Sequence, residues 1–208
     1  MLIVHHLNNS RSQRVLWLLE ELGVPYEIVR YQRQPDMRAP AQLRAIHPLG
    51  KSPVITDNGN TIAESGAIAE YVLDTYGEGR LIPPPKTPER LRYTYWLHYA
   101  EGSAMLPLLL NMYVMRLGDA RLPLQPRVDG EMANHLGFVD RSLAGKDYLL
   151  GPDFTAADIQ MSFPLEAAAA RGGLDQGHPK AMAFLETIHA RPAYKRALEK
   201  GGPYSVGR

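Results

Sequence analysis

"HPLGKSPVITDNGNTIAES", His47 to Ser65, is the stretch on which the fold turns. Asn58-Gly59 sits between two short β-type runs, "SPVITD" and "TIAES". That dipeptide is the strongest short hairpin signal, because the tight turn needs positive φ at both central residues. The spacing predicts two antiparallel strands and then, from "AES" to Tyr76, a helix. Ser52-Pro53 enters the first strand. A proline there fits an edge or a turn, and a cis bond would leave nearby backbone N–H and C=O groups open to a ligand. Glu64 and Ser65 fall where the unpaired N–H groups and positive dipole end of the helix favour a carboxylate. Service as ordinary first-turn residues explains Ser65 equally well.

Upstream, the pattern alternates strand and helix. "LIVHH" (Leu2 to His6) is followed by a helix from about Ser12 to Leu22, by "YEIVRY" (Tyr26 to Tyr31), and by a short helix around Pro40 to Ile46. Val15, Leu18, Leu19 and Leu22 fall at i, i+3, i+4 and i+7, one apolar stripe, and Gly23 with Pro25 marks the stop. The order is βαβ followed by αββα.

Beyond "YGEGRLIPPPKTPE" nothing strand-like of any length occurs, and Pro83 to Pro85 favour a stiff, extended connection. Residues 1–78 are therefore expected to form an α/β domain, 79–88 a linker, and 89–208 an all-helical domain. Met132, Leu136, Val139 and Leu143 recur at helical spacing, as do Ala181, Phe184, Leu185 and Ile188. In "DFTAADIQMSF", Thr155 and Asp158 have the spacing of a capping box in acidic form, with Phe154 and Ile159 placed for a hydrophobic staple. The helix that follows has little polar surface and is expected to be buried.

Composition sets the exclusions. The 208 residues carry 23 basic and 22 acidic side chains, net +1, so there is no electrostatic footprint for nucleic acid. The apolar run "AMLPLLLNMYVM", Ala104 to Met115, is too short to span a bilayer, and the N-terminus has no signal-type segment, so a cytoplasmic protein is expected. The chain has no cysteine, which excludes disulfides, thiolate zinc sites and a protein thiol nucleophile. Any thiol chemistry here uses a sulfur brought by a ligand.

"HHLNNSRSQRVLWLLEELGVPYE", residues 5–27, places small polar and basic residues between the first strand and the first helix. Together with "HPLGKSPV", "AES" and "FTAAD", in that order over most of the length, it makes the chain resemble a cytosolic glutathione transferase. The resemblance implies a thioredoxin-like N-terminal domain joined to an all-helical C-terminal one. The opening is most similar to the bacterial and fungal, serine-type (theta-like) branch. In that family the loop after the first strand hydrogen-bonds the sulfur of bound glutathione and holds it as thiolate. The serine-type hydroxyl stands four residues before the first-helix arginine, as Ser10 does before Arg14. Ser12 is a rival, though it sits where the helix needs an N-cap, and Asn9 offers an amide donor, as does Asn8.

By the same resemblance, Val54, after a cis Pro53, pairs its backbone with the cysteinyl part of glutathione. Glu64 and Ser65 hold the γ-glutamyl end, and Lys51, beside Ser52, meets the glycyl carboxylate. His47 and Gln42 are further candidates, and His47-Pro48 replaces the Asn-Pro of many relatives. Glu101 is a further candidate for the γ-glutamyl amine, reached across a homodimer interface. The second substrate is a small hydrophobic electrophile, with Met105, Met112, Tyr113 and Met115 as a soft wall. Conjugation, glutathione-dependent peroxide reduction and attack on glutathionyl disulfides all use the same thiolate. A non-catalytic scaffold of the same fold is the alternative. No metal, nucleic-acid or membrane partner is implied.

Overall fold

Strand β1 (Leu2–Leu7) is flanked by β2 (Tyr26–Tyr31), parallel to it, and by β3 (Val54–Asp57), antiparallel to it. With β4 (Asn60–Ala63) antiparallel to β3, the sheet order is β2-β1-β3-β4. The computed structural model describes residues 1–171 and 173–206. The chain forms two compact units, one built on this sheet and one helical.

The turn that joins β3 to β4 is the one the sequence requires, with Asn58 at φ 49° and Gly59 at φ 78°. Helix α1 (Ser12–Leu22) connects the parallel pair and ends on Gly23 in the left-handed region. After the short α2 (Ala41–Ile46), which buries only Leu43, helix α3 (Ser65–Tyr76) follows β4 and buries Ile68, Ala69, Val72 and Leu73.

The sheet unit comprises Met1–Pro83 and also His189–Ser205, from the far end of the chain. The sequence grouped residues 189–205 with the helical part, and the packing of the last helix explains the difference. Helix α1 is buried on nearly every side, where the sequence suggested one apolar stripe. The last helix, Pro192–Gly201, supplies the cover, with Tyr194 meeting Trp17 edge to face at 5.1 Å. Glu20 and Glu21 of α1 bind Arg196, Lys200 and Arg191 of this segment. Gly201 closes the contact: a Cβ there would stand 2.6 Å from Gln13 Oε1 and 3.0 Å from Leu16 Cδ1, so any larger residue would have to displace those two side-chain ends.

The helical unit, Pro84–Ile188, begins within the proline-rich stretch. Helix α4 (Pro88–Tyr99) runs through a π-helical turn, Ala100–Ala104, into α5 (Met105–Val114). A 3₁₀ segment, Met115–Arg121, leads to α6 (Gln125–Ser142), α7 (Ala156–Ala170) and α8 (Pro179–His189), and the chain ends with α9 (Pro192–Gly201) on the sheet unit. Helix α7 is the core element, buried at every residue from Ala156 to Ala168. It starts at the expected capping box, in which the Asp158 carboxylate accepts from the Thr155 N–H at 2.8 Å. The same group accepts from the Thr155 hydroxyl at 3.0 Å and from the Leu149 N–H at 2.9 Å. This division into an α/β part and an all-helical part is the architecture expected from the sequence.

Candidate functional site

The loop between β1 and α1 and the turn before β3 meet through hydroxyl groups. Ser10 Oγ lies 2.8 Å from Ser12 Oγ and donates to Ser52 Oγ at 3.2 Å. Ser52 Oγ in turn donates to the His5 carbonyl at 3.3 Å, and the Ser52-Pro53 bond is cis, as expected. Ser12 Oγ is 2.8 Å from His6 Nδ1 and 3.3 Å from the Leu7 carbonyl. A line of hydrogen-bonded groups therefore runs from His6 through Ser12 and Ser10 to Ser52.

Local folding explains the line. Strand β1 alternates its side chains, so His6 shares a face with Leu2 and Val4 and turns into the core rather than into water. A buried imidazole must be partnered. Burial pushes His6 down to about 4, only partly opposed by its hydrogen bond to the Gly201 backbone, so the ring is neutral at physiological pH. Ser12 is not the N-cap the sequence suggested. It is the first residue of α1, the N-cap is Arg11 with no side-chain cap bond, and the Ser12 hydroxyl serves His6 and Leu7 instead. Ser10 Oγ accepts the Ser12 N–H at 3.2 Å, so Ser10 satisfies the amide at the helix start.

The three candidates in this loop differ in access. Ser12 is 0% exposed and Ser10 is 4% exposed, whereas Asn9 is only half-buried. Asn9 has φ 51°, a left-handed conformation that asparagine tolerates better than most residues, and its carbonyl accepts from Arg33 Nη2 at 3.0 Å. Arg33 also binds the Asn8 carbonyl at 3.1 Å, while its N–H bonds Asn8 Oδ1 at 2.8 Å. The sequence offered no signal for this part of Arg33, which lies 24 residues from Asn9.

Around the start of α3, Glu64 is exposed at φ 72° and Ser65 is buried. The buried Arg14 donates from Nη2 to Ser65 Oγ at 3.0 Å, which ties the first turn of α1 to the first turn of α3. Arg14 entered the sequence reading only as a spacing mark, and this contact is additional. Lys51 is exposed and Ser52 half-buried, while Pro53 is buried. His47 Nδ1 is a buried atom without a hydrogen-bond partner among the described residues. Val54 does not fit the role expected of it. It is 0% exposed and lies in register with His5 on one side and Ala63 on the other, so its backbone belongs to the ladder. Ser52, just ahead of the strand, is the neighbour outside that ladder.

In the helical unit, Glu101 lies half-buried in the π-helical turn. Such turns collect at functional positions in helices. Met105 is core at 1% exposure, whereas Tyr113 and Met115 are more than half exposed and Met112 is intermediate. Among the described residues no group of three or more His, Asp or Glu side chains is arranged to hold a metal, and no helix is long and apolar enough to cross a membrane.

Comparison with known proteins agrees with this architecture at every level. Residues 1–74 match the family model for the glutathione S-transferase N-terminal domain, and residues 103–192 match that for the C-terminal domain. Glutathione S-transferase 3 of Schizosaccharomyces pombe is 36% identical, over 96% of this chain and 88% of its own length. A crystal structure of a glutathione S-transferase from Actinobacillus pleuropneumoniae superposes with a TM-score of 0.90 at 35% identity, covering 100% of this chain and 96% of that one. A sphingomonad glutathione S-transferase, complexed with glutathione, gives a TM-score of 0.77 at 25% identity, covering 96% of this chain and 98% of that one. The chain belongs to the glutathione S-transferase family and carries both of its domains.

Proposed function

We propose that the chain binds glutathione on the sheet unit and holds its sulfur as thiolate, through the hydroxyl of Ser10, for attack on a small hydrophobic electrophile. The observation that carries this reading is the meeting of Ser10 and Ser52 at 3.2 Å, which joins the polar loop after β1 to the backbone ahead of β3; the single Ser10 proton, donated to Ser52 in this structure, turns to the sulfur when glutathione binds. In the absence of cysteine the reacting sulfur is the ligand's. The hydroxyl also stands just before the N-terminus of α1, where the helix dipole favours negative charge.

The remaining assignments follow the same frame. Ser52, rather than Val54, offers the free backbone for the cysteinyl portion, and Pro53 fixes its direction. Ser65, held by Arg14, and Glu64 take the γ-glutamyl end at the start of α3, where the positive end of the helix dipole favours its carboxylate. Lys51 pairs with the glycyl carboxylate as an exposed cation. Ser12 is a support for Ser10. The complex of the sphingomonad relative with glutathione supports the ligand. The serine-type assignment rests on Ser10 and its spacing to Arg14. Peroxide reduction and cleavage of glutathionyl disulfides are further outcomes of the same thiolate.

A free thiol has pKa of about 8.5, and stabilisation to about 6.5 corresponds to roughly 2.7 kcal/mol of preference for the thiolate. Titration calorimetry with glutathione, followed by assays with an aryl halide, an organic peroxide and a glutathionyl disulfide, measures binding and reaction type. If one hydroxyl supplies most of that preference, Ser10→Ala lowers turnover at neutral pH by about ten-fold to a hundred-fold and moves the acidic limb of the pH–rate profile upward. Glutathione affinity changes much less, because Ser65 and Lys51 hold the rest of the tripeptide. An unchanged rate and pH profile in Ser10→Ala removes the assignment.

A further inference from the structure

The segment after α9 reaches the loop that follows β1. Asn9 Oδ1 accepts two hydrogen bonds from Ser205, from the backbone N–H at 2.7 Å and from the hydroxyl at 3.0 Å. A backbone N–H can only donate, so the Asn9 atom facing it must be the carbonyl oxygen, and the orientation of the amide is settled. Its NH₂ group therefore stands on the side away from Ser205. The residue is held three ways: side-chain oxygen by Ser205, carbonyl by Arg33, and backbone in the left-handed region. Such over-determination of an unusual conformation is typical of positions where a donor is aimed in advance.

We propose that Ser205 is a positioning residue for the thiolate site: by occupying Asn9 Oδ1 from the C-terminal segment, it turns the Asn9 amide NH₂ toward the ligand sulfur as a second donor beside Ser10. This inference rests on the glutathione thiolate reading given above. Of the loop's candidate donors, Asn8 and Asn9 are only half-buried, while Ser10 and Ser12 are 4% and 0% exposed, and of the two amides it is Asn9 that the C-terminal segment holds. The C-terminal segment is well placed to hold it. Gly201 packs against Gln13 and Leu16, the His6 ring bonds the Gly201 backbone, and Tyr204 is buried. A single segment thus supports both donors, Ser10 through His6 and Ser12, and Asn9 through Ser205.

The test uses the full-length protein and follows the pKa of enzyme-bound glutathione through the ultraviolet absorbance of the thiolate, with the pH profile of kcat/KM alongside. Asn9→Asp is the decisive variant. It keeps an oxygen for Ser205, so the tether survives, but it replaces the NH₂ donor by a second oxygen carrying negative charge, which opposes a neighbouring thiolate. The expected result is an upward shift of the bound thiol pKa and a loss of kcat/KM at neutral pH of about ten-fold or more, with melting temperature retained. Ser205→Pro removes both bonds to Asn9 and shifts the pKa in the same direction. Ser205→Ala, which removes only the hydroxyl, gives a smaller shift of the same sign and serves if the proline variant fails to fold. Asn9→Asp with an unaltered thiol pKa, or a pKa unmoved by either Ser205 substitution while the parent protein forms thiolate, overturns the inference and leaves the Ser10 assignment standing. A parent protein that forms no thiolate on binding glutathione overturns both.

Discussion

Asp158 shows how opposing effects on one residue are to be weighed. Burial pushes its carboxyl from 3.8 up to about 6, although hydrogen bonds from Leu149 and Thr155 act in the other direction. A carboxyl raised in the folded state binds its proton more tightly there than in the unfolded chain. The part of its stability contribution that is linked to that proton is therefore full below the unfolded value of 3.8 and is lost as pH rises through about 6, which leaves the hydrogen bonds of the carboxylate. Removing the group orphans three donors at a buried helix start, so Asp158→Ala is expected to lower stability by about 1–3 kcal/mol in urea unfolding at neutral pH. The gap between parent and variant should widen as pH is lowered from about 6 toward 4. A gap that narrows over that range would mean that the hydrogen-bonded carboxylate, and not the buried acid, is the favoured native form. Glutathione affinity per folded molecule is expected to stay constant, since every glutathione contact assigned here except Glu101 lies on the sheet unit.

Helix α9 belongs to the sheet unit through an ionic clasp. Glu20, with a side chain 7% exposed, binds Arg196 at 2.9 Å and Lys200, and accepts from Tyr26 at 2.8 Å. Glu21 meets Arg191 through both of its oxygens, at 2.6 and 2.9 Å. Burial acts on Glu20 to raise its pKa, but Lys200, Tyr26 and Arg196 together bring the net shift below 4.5. Its contribution is accordingly present above 4.5 and is lost as pH falls through the depressed folded value. Because Arg196 and Lys200 are half exposed and solvent screens them, Glu20→Gln is expected to cost only about 1–2 kcal/mol in urea unfolding at neutral pH, and less in acid. A cost that grows on acidification would show that the pairing is not what holds α9. The clasp also marks the limit of what the sequence discloses. Asn58-Gly59, Gly23 and the Thr155–Asp158 box act within a few residues, so their signals are complete in themselves. The contacts of Glu20 with Lys200 and of Asn9 with Ser205 join residues 180 and 196 positions apart, and no local pattern announces either. The motifs marked Ser10, Ser52 and Ser65 as candidates, and the fold brings Ser10 to Ser52 and Arg14 to Ser65. What no motif carried is the register that puts Val54 in the ladder and the burial of His6.

At the scale of the whole molecule, the helical unit presents exposed apolar side chains in pairs on two of its helices. On α4, Leu91 is 74% and Tyr95 48% exposed, one helical turn apart; on α5, Leu106 is 62% and Leu110 37% exposed at the same spacing. With a net charge of only +1, two copies meet little mutual repulsion. We propose that α3 and the helices after the linker pair two copies about a two-fold axis, a closed arrangement in which one apolar patch serves both partners. Light scattering at micromolar concentration should then give twice the chain mass of 23.2 kDa, and Leu91→Glu combined with Tyr95→Glu should halve it by placing like charges in the interface. The dimer also decides the part of Glu101, since a reach across the interface requires the partner. If that reach is real, Glu101→Gln weakens glutathione binding in the dimer and has no further effect in the Leu91, Tyr95 variant. A parent protein with the mass of a single chain would remove both the dimer and the cross-subunit role of Glu101, and would leave the exposed leucines to face the second substrate instead.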